Sequence, residues 1–550
     1  MKSVCTRFVI LLLAAVALVG VACSETAVQS QSPSSYGAIE TMYGEILEAR
    51  RPKLVDGVAD YSPAAMTAQR EQLAAFEKRL MAIDPANWPV PQKIDYLLVV
   101  TTLRDWDFSH RVARPWSRDP GLYVDMLQQL PFTRLPVAAD QLPAFRTRLA
   151  SVSKVVERAK VNLTEGGGEF TAQAIRNLEV ADGVGHMHPV RPTPPPGVIG
   201  WYADLAEQLQ KHHPDLVADA RTAQTAVAGL RDWLVSNRSR MNAPSGVGLK
   251  EYDWYLRYVR MMPYDHRDVL AMGRREMARA RSFVALDRNR FRNVPAIQIS
   301  GSAGEYQARI ADADKQVREF IVREGFITIP PYVQELDTNV PWMVRPGGPN
   351  FWENVQFRDP RPDHVHAVIP GHRFDGKVKQ NDTRAIRGRY SEGSRSEGWA
   401  TYLEEAFLQS GLLDDRPRTR ELFYWFLAKR AARNEPEVRL HENVWTIEQA
   451  TDSMVKHVKW LDSGVARVDA EIYLRRPPGY GMGYLMGKLQ MDELLSDAMW
   501  AAKDTFNLKA FHDRFMATGT IPISLIRWEM LGDDSQVRHL WPRQGRIQTE

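Results

Sequence analysis

From residue 36 onward the apolar residues recur at helical spacing, and that periodicity restricts the chain to a mainly α fold. Ser62-Pro63 supplies an N-cap followed by a proline at the first helical position. Met66, Leu73, Phe76, Leu80 and Ile83 then follow at intervals of seven, three, four and three, a single stripe that Asp84-Pro85 ends. Ile94 to Val112 and Leu142 to Leu163 repeat the pattern with charged residues opposite. Asp265 to Asp268 resembles a capping box and opens a helix from Val269 to Arg292, whose basic face is read as solvated. Short Val/Ile-rich runs at 327–329 and 365–369 leave room for very little strand.

Size and charge set further bounds. A chain of 550 residues with 44% hydrophobic side chains can bury a large core. Its 71 basic and 67 acidic groups nearly cancel, which gives no electrostatic case for a nucleic-acid partner. Both cysteines, Cys5 and Cys23, fall in the first 23 residues, so any metal must be held by histidines and carboxylates. Lys2 and Arg7 precede an apolar run from Phe8 to Ala22, too short to span a bilayer and of the length of a signal peptide. Gly20-Val21-Ala22 ahead of Cys23 predicts lipidation of that cysteine. Residues 1–23 thus read as an export signal, 24–36 as a flexible tether and 37–550 as a single large helical domain. The expected location is the periplasmic side of a bacterial membrane, held there by a lipid anchor alone. Pro189 to Gly197 is a candidate hinge between lobes 37–196 and 197–550.

The chemistry concentrates between residues 361 and 405. His364, His366 and His372 fall within nine positions, followed by an acidic amphipathic stretch, Ser396 to Glu405. Two imidazoles and a carboxylate form the protein ligand set of a catalytic zinc ion. On a regular helix His366 and His372 would stand about 120° apart around the axis, so an unbroken helix cannot present both to one ion. Pro370-Gly371 between them predicts a kink or bulge that brings the two rings together. Glu397, Thr401 and Glu404 share one helical face, while Trp399, Leu403 and Phe407 line another. Were the segment a strand instead, His364 and His366 would share a face and form the pair.

These residues resemble the bacterial domain-of-unknown-function family 885. Its signature His-Glu-x-x-Pro-Gly-His-x-x-Gln, followed by Glu-Gly-Trp-x-x-Tyr-x-Glu, is matched at His366, Pro370, Gly371, His372, Glu397, Gly398, Trp399, Tyr402 and Glu404. The resemblance extends over most of residues 40 to 530. It implies a large helical two-lobed domain with a central cleft, similar to helical zinc metallopeptidases, with His366, His372 and Glu397 as zinc ligands. Three positions depart from the pattern. Asp375 stands in place of Gln, Tyr480 in place of a Gln, and Ala367 in place of the Glu that acts as general base in zinc hydrolases.

Three functions follow. The first is an exported zinc hydrolase for a peptide or small amide, with another acid (Asp363, Asp375, Glu392 or Glu404) acting as base. His441, Tyr484 or Arg433 would then steady a developing oxyanion. The second is a metal-dependent lyase. The third is an inactive metallopeptidase homologue that binds a peptide or protein partner. Arg430 is a further residue that could face the cleft, His512 is expected to cap or pack the last helix, and the glycines from Gly479 to Gly487 could form a flexible loop over the site.

Overall fold

The computed structural model of the protein describes residues 35–180, 191–334 and 341–542, together with Pro189, Leu336 and Ile547. The export signal, Cys23, the tether up to residue 34 and most of the proline-rich stretch's approach (His186 and His188 included) lie outside the described residues. Among the described residues the fold is helical, and the only sheet is a hairpin of two-residue strands, Leu54–Val55 against Val58–Ala59. Neither Val/Ile-rich run forms a strand.

The chain begins with α1 (Tyr36–Ala49), α2 (Pro63–Met81) and α3 (Val90–Phe108), and a single turn, α4 (Pro115–Arg118), leads onward. A group of five follows: α5 (Pro120–Gln128), α6 (Leu142–Asn162), α7 (Gly168–Glu179), α8 (Gly197–His212) and α9 (Val217–Asn237). Next come α10 (Leu249–Tyr258), α11 (His266–Arg290) and α12 (Ala303–Arg323), then the short α13 (Phe351–Gln356). The site lies in α14 (Arg361–Ala367), α15 (His372–Gln380), α16 (Gly393–Gln409), α17 (Arg420–Ala432) and α18 (Asn434–His441). The fold closes with α19 (Ile447–His457), α20 (Ser463–Arg475), α21 (Tyr480–Ala502), α22 (Leu508–Thr518) and α23 (Ile523–Leu531).

Local chemistry sets several of these boundaries. Ser62 accepts from the Ala65 amide at the start of α2, and Asp265 with Asp268 forms a reciprocal capping box on α11. The stripe Met66, Leu73, Phe76 and Leu80 is buried. The helices share three main cores. The largest unites α1–α3 with α10–α12, α14–α17 and α21–α23, so the N-terminal helices pack against the site-bearing ones. A second holds α5–α9 together, with α8 on the same core as α7 across the proline-rich stretch. A third joins α13, one face of α17, α19 and α20.

Two expectations about surfaces are corrected. The basic face of α11 is not simply solvated. Arg279 makes a bidentate pair with Glu405 of α16 (2.7 and 2.8 Å), and Arg288 reaches Glu421 of α17 (2.9 Å). A row of arginines shows that charge must be solvated, but not whether water or carboxylates do it. The glycines of 479–487 are not a loop over the site either: after Gly479 they lie within α21, where they let that helix press against its neighbour.

Candidate metal centre

Arg361 fixes the start of α14. It is buried and paired with Asp359 (2.8 Å) and Asp415 (2.6 Å), while Asp359 also accepts its amide. His366 rides the last turn of this helix. The chain then leaves helical geometry entirely from Val368 to Gly371 and starts again at His372, the first residue of α15. The distortion expected at Pro370 is thus a full break between two helices. Gly371 belongs there for a steric reason: a Cβ on it would lie 1.8 Å from the His366 carbonyl oxygen. Trp399 of α16 holds the break in place by donating from its indole nitrogen to the Pro370 carbonyl (2.9 Å).

The break turns both imidazoles toward α16. Their rings are 4.8 Å apart and nearly perpendicular, at 87°. Glu397 Oε2 lies 2.9 Å from His372 Nε2 and 3.7 Å from His366 Nε2. One ligand atom from each of these three residues lies within 4.8 Å of the other two, so together they could hold a metal ion. Behind His366, its Nδ1 lies 2.7 Å from Glu404 Oε1, and Glu404 is fully buried with Arg430 3.1 Å from the same oxygen. Behind His372, Ser396 Oγ lies 3.3 Å from Nδ1. A carboxyl group this close to the far nitrogen of a ring is placed to orient it as a metal ligand.

The site electrostatics put His366 and Glu397 in the forms that a cation binds. Burial, together with the positive charge of Arg430, keeps His366 well below its ordinary pKa and therefore neutral. Burial alone would raise Glu397, but the adjacent His372 outweighs it and draws the carboxyl down to about 2. Burial also opposes the charge on His372, yet Glu397 reverses that and raises its pKa. Glu404 is pushed up to about 7 by burial, with Arg430 opposing. A neutral imidazole and an anionic carboxylate are the forms that bind a divalent cation. His366, His372 and Glu397 could hold such a cation.

A basic and aromatic wall stands beside the cluster. The Tyr484 ring is parallel to His366 at 6.3 Å, and the guanidiniums of Arg433 and Arg430 lie over that ring at 4.1 and 4.9 Å. Tyr484 also helps to hold the Glu397 carboxyl down, after His372 and His366. Arg433 is anchored by Asp469 (3.2 Å), which in turn holds Lys429 (2.5 Å). The Lys429–Asp469 pair was not singled out from sequence. Lys429 belongs to the run Lys429-Arg430-x-x-Arg433 on an otherwise apolar helix, and three basic residues there signal a buried acidic partner.

The other candidates are placed elsewhere. Asp375 pairs with buried Arg395 (2.6 Å), and Glu392 caps α16 while accepting from Arg260 (2.9 Å). His441 contacts the Tyr473 carbonyl (3.1 Å) and Tyr252, and borders a separate cavity. His364 turns to Asp314 of α12 (2.9 Å), so the strand-type pair of His364 with His366 does not form. His512 bridges Tyr402 and the Phe326 carbonyl, both at 2.8 Å, a packing role. Asp363, four residues before Ala367 on α14, is buried, receives a hydrogen bond from Gln356 and is raised by burial to about 6. Near the start of α7 the Glu169 and Phe170 amides donate to Ser245 Oγ.

Comparison with known proteins places this arrangement among uncharacterised relatives. Residues 42–322 and 364–530 match a family described as bacterial protein of unknown function (DUF885). No match is found among curated proteins. Among solved structures, a candidate lipoprotein of unknown function from Shewanella oneidensis superposes with a TM-score of 0.69 at 16% identity, covering 90% of this chain and 100% of that one. A candidate lipoprotein from Colwellia psychrerythraea gives 0.68 at 15% identity, covering 91% and 99%. At these identities the likeness speaks for the fold.

Proposed function

The chain belongs to this bacterial family of unknown function, and from that premise we propose that it is an exported, zinc-dependent hydrolase related to peptidases and acting on a peptide or small amide. The observation that carries the reading is the convergence of His366, His372 and Glu397 ligand atoms within 4.8 Å, with Glu404 behind His366. The apolar run before Cys23 and the description of both structural relatives as candidate lipoproteins support a lipid anchor on the periplasmic side.

A zinc ion at this position would supply Lewis acidity and a water of lowered pKa. The residues of the chain do the rest. Glu404 is committed to His366 and Arg430, so its part is to orient the ring. Ala367 can take no proton. Asp363 lies one turn earlier on the same face of α14, and its carboxylate is the group best placed along the chain to accept one. Arg430 and Tyr484 flank the cluster and would hold the substrate carbonyl and the charge that develops on it.

The test is the metal content of protein lacking residues 1–23. The reading expects about one zinc per chain, lost in His366→Ala and His372→Ala, and peptide cleavage that rises in Ala367→Glu. Failure to bind zinc even when it is supplied would overturn the proposal. A second reading, an inactive homologue that binds a peptide or protein partner, draws support from Arg430. Its Nη2 lies 3.4 Å from His366 Nε2, a cation already facing the ligand nitrogen. Zinc bound by the wild type, with no turnover of any peptide by either it or Ala367→Glu, would favour that reading.

A further inference from the structure

A cavity of about 210 Å³ lies apart from the metal cluster and contains none of its three ligands. Its walls come from the end of α3, the π-helical turn Ser109–Ala113 that follows, α4, the segment around Val247, and residues 474–478 at the end of α20 and just beyond it. Phe108, Phe170, Val247, Leu474 and Pro478 make much of the surface apolar. π-helical turns recur at functional sites, because the widened turn re-aims side chains.

The charges around this cavity do not balance. Four guanidiniums and two carboxylates line it. Arg50 is matched by Asp105 (2.5 Å), and Arg475 by Asp119 (2.8 Å). Arg118 is buried, yet it bonds only to the main-chain carbonyls of Val112 (2.9 Å), Ala113 (3.4 Å) and Pro244 (2.5 Å) and makes no ion pair among the described residues. Arg476, at the exposed rim, stacks on Tyr480 at 4.3 Å and has no carboxylate partner among the described residues. A buried cation held by carbonyl dipoles alone is poorly compensated, and a carboxylate is the group that matches a guanidinium best. His441 borders the same space. Its Nε2 meets the Tyr473 carbonyl (3.1 Å) and its buried Nδ1 has no hydrogen-bond partner.

We infer that this cavity binds a carboxylate whose apolar body is about the size of one amino-acid residue, the two unmatched guanidiniums answering the charge and the aromatic and proline wall the body. An N-acylated hydrophobic amino acid and the hydrophobic C-terminal residue of a peptide share this chemistry. Tyr480, under Arg476, has its hydroxyl 3.5 Å from that of Tyr484.

The test is calorimetric titration of the protein lacking residues 1–23 with N-acetyl-L-phenylalanine, its carboxamide and acetyl-Ala-Ala-Phe. The acid is expected to bind about tenfold or more tightly than the carboxamide, Arg476→Gln to erode that preference, and Val247→Trp to abolish binding by filling the space. Circular dichroism verifies that each variant is folded. Tighter binding of the tripeptide assigns the site to a peptide C-terminus, and equal binding assigns it to a free acid. Either result supports the inference. Absence of saturable binding up to about 10 mM, equal affinity for acid and carboxamide, or unchanged binding in folded Val247→Trp would overturn it. The same titrations in His366→Ala keep this inference separate from the metal reading, because binding in the cavity should survive loss of the ion.

Discussion

At the scale of single residues, function turns on which groups can still exchange a proton or hold a ligand. Glu404 touches no proposed metal position directly, but its Oε1 lies 2.7 Å from His366 Nδ1. Glu404→Ala should therefore keep all three ligands and still weaken zinc about 10- to 100-fold, measurable by competition with a chromophoric chelator. Two other histidines give a pH signature. Burial lowers both His441 and His512 to about 4. The unfolded chain then binds more protons than the folded one between about pH 6.5 and 4, so their contribution to stability is complete above 6.5 and is lost as pH falls through that window. Urea unfolding from pH 7 to 4 should show His512→Gln, although weaker at pH 7, losing less stability over that range than the wild type. The convergence of Glu397 with His366 and His372 was legible in the sequence because ligand chemistry admits few residue types. The role of Glu404 was not, since periodicity places it on the polar face without saying what it meets.

At the scale of elements, the site depends on two backbone junctions. One is the break between α14 and α15, which Pro370-Gly371 announced in the sequence. A local count of residues could not tell a kink from a complete break, because Trp399 of a different helix secures it. The other is the crossing of α16 and α21. A Cβ on Gly487 would come within 2.1 Å of the Ser394 carbonyl oxygen and 2.8 Å of Gly398 Cα, so the two helices meet backbone to backbone. This contact sets Glu397 beside Tyr484. Gly487→Ala should cost about 3 kcal/mol or more, since overpacking against backbone cannot relax by rotating a side chain, and it should weaken zinc binding. Gly376→Ala is the control. It lies within α15 with nothing within 4 Å of the added Cβ, and should stabilise by about 0.5–1 kcal/mol. Denaturant midpoints of both variants test the contrast. The glycines read as a loop from sequence because glycine is permissive in either setting, and only the partner helix distinguishes them.

At the scale of the whole molecule, the mainly α architecture was legible from periodicity, whereas the grouping of helices was not. Helical stripes report that a face is buried but not against which neighbour, so nothing local showed that α1–α3 join the core of α14–α17 while α5–α9 keep a core of their own. Arg475 ties that second group to α20 through Asp119 (2.8 Å) and Asp125 (2.7 Å). Removing one partner of a largely buried pair leaves charge uncompensated. Arg475→Ala should therefore let α5–α9 exchange amide hydrogens measurably faster than α16 and α21, detectable by mass spectrometry, while the main core stays protected.

The glycine crossing also bears on how the protein should respond to compression. Hydrostatic pressure favours states that eliminate internal voids. Where α16 and α21 touch with no side chain between them there is no void to eliminate, whereas the space beside Phe108 and Val247 offers one of about 210 Å³. Squeezing the molecule should thus loosen the region around that cavity at pressures where Glu397 and Tyr484 still face each other across an incompressible seam.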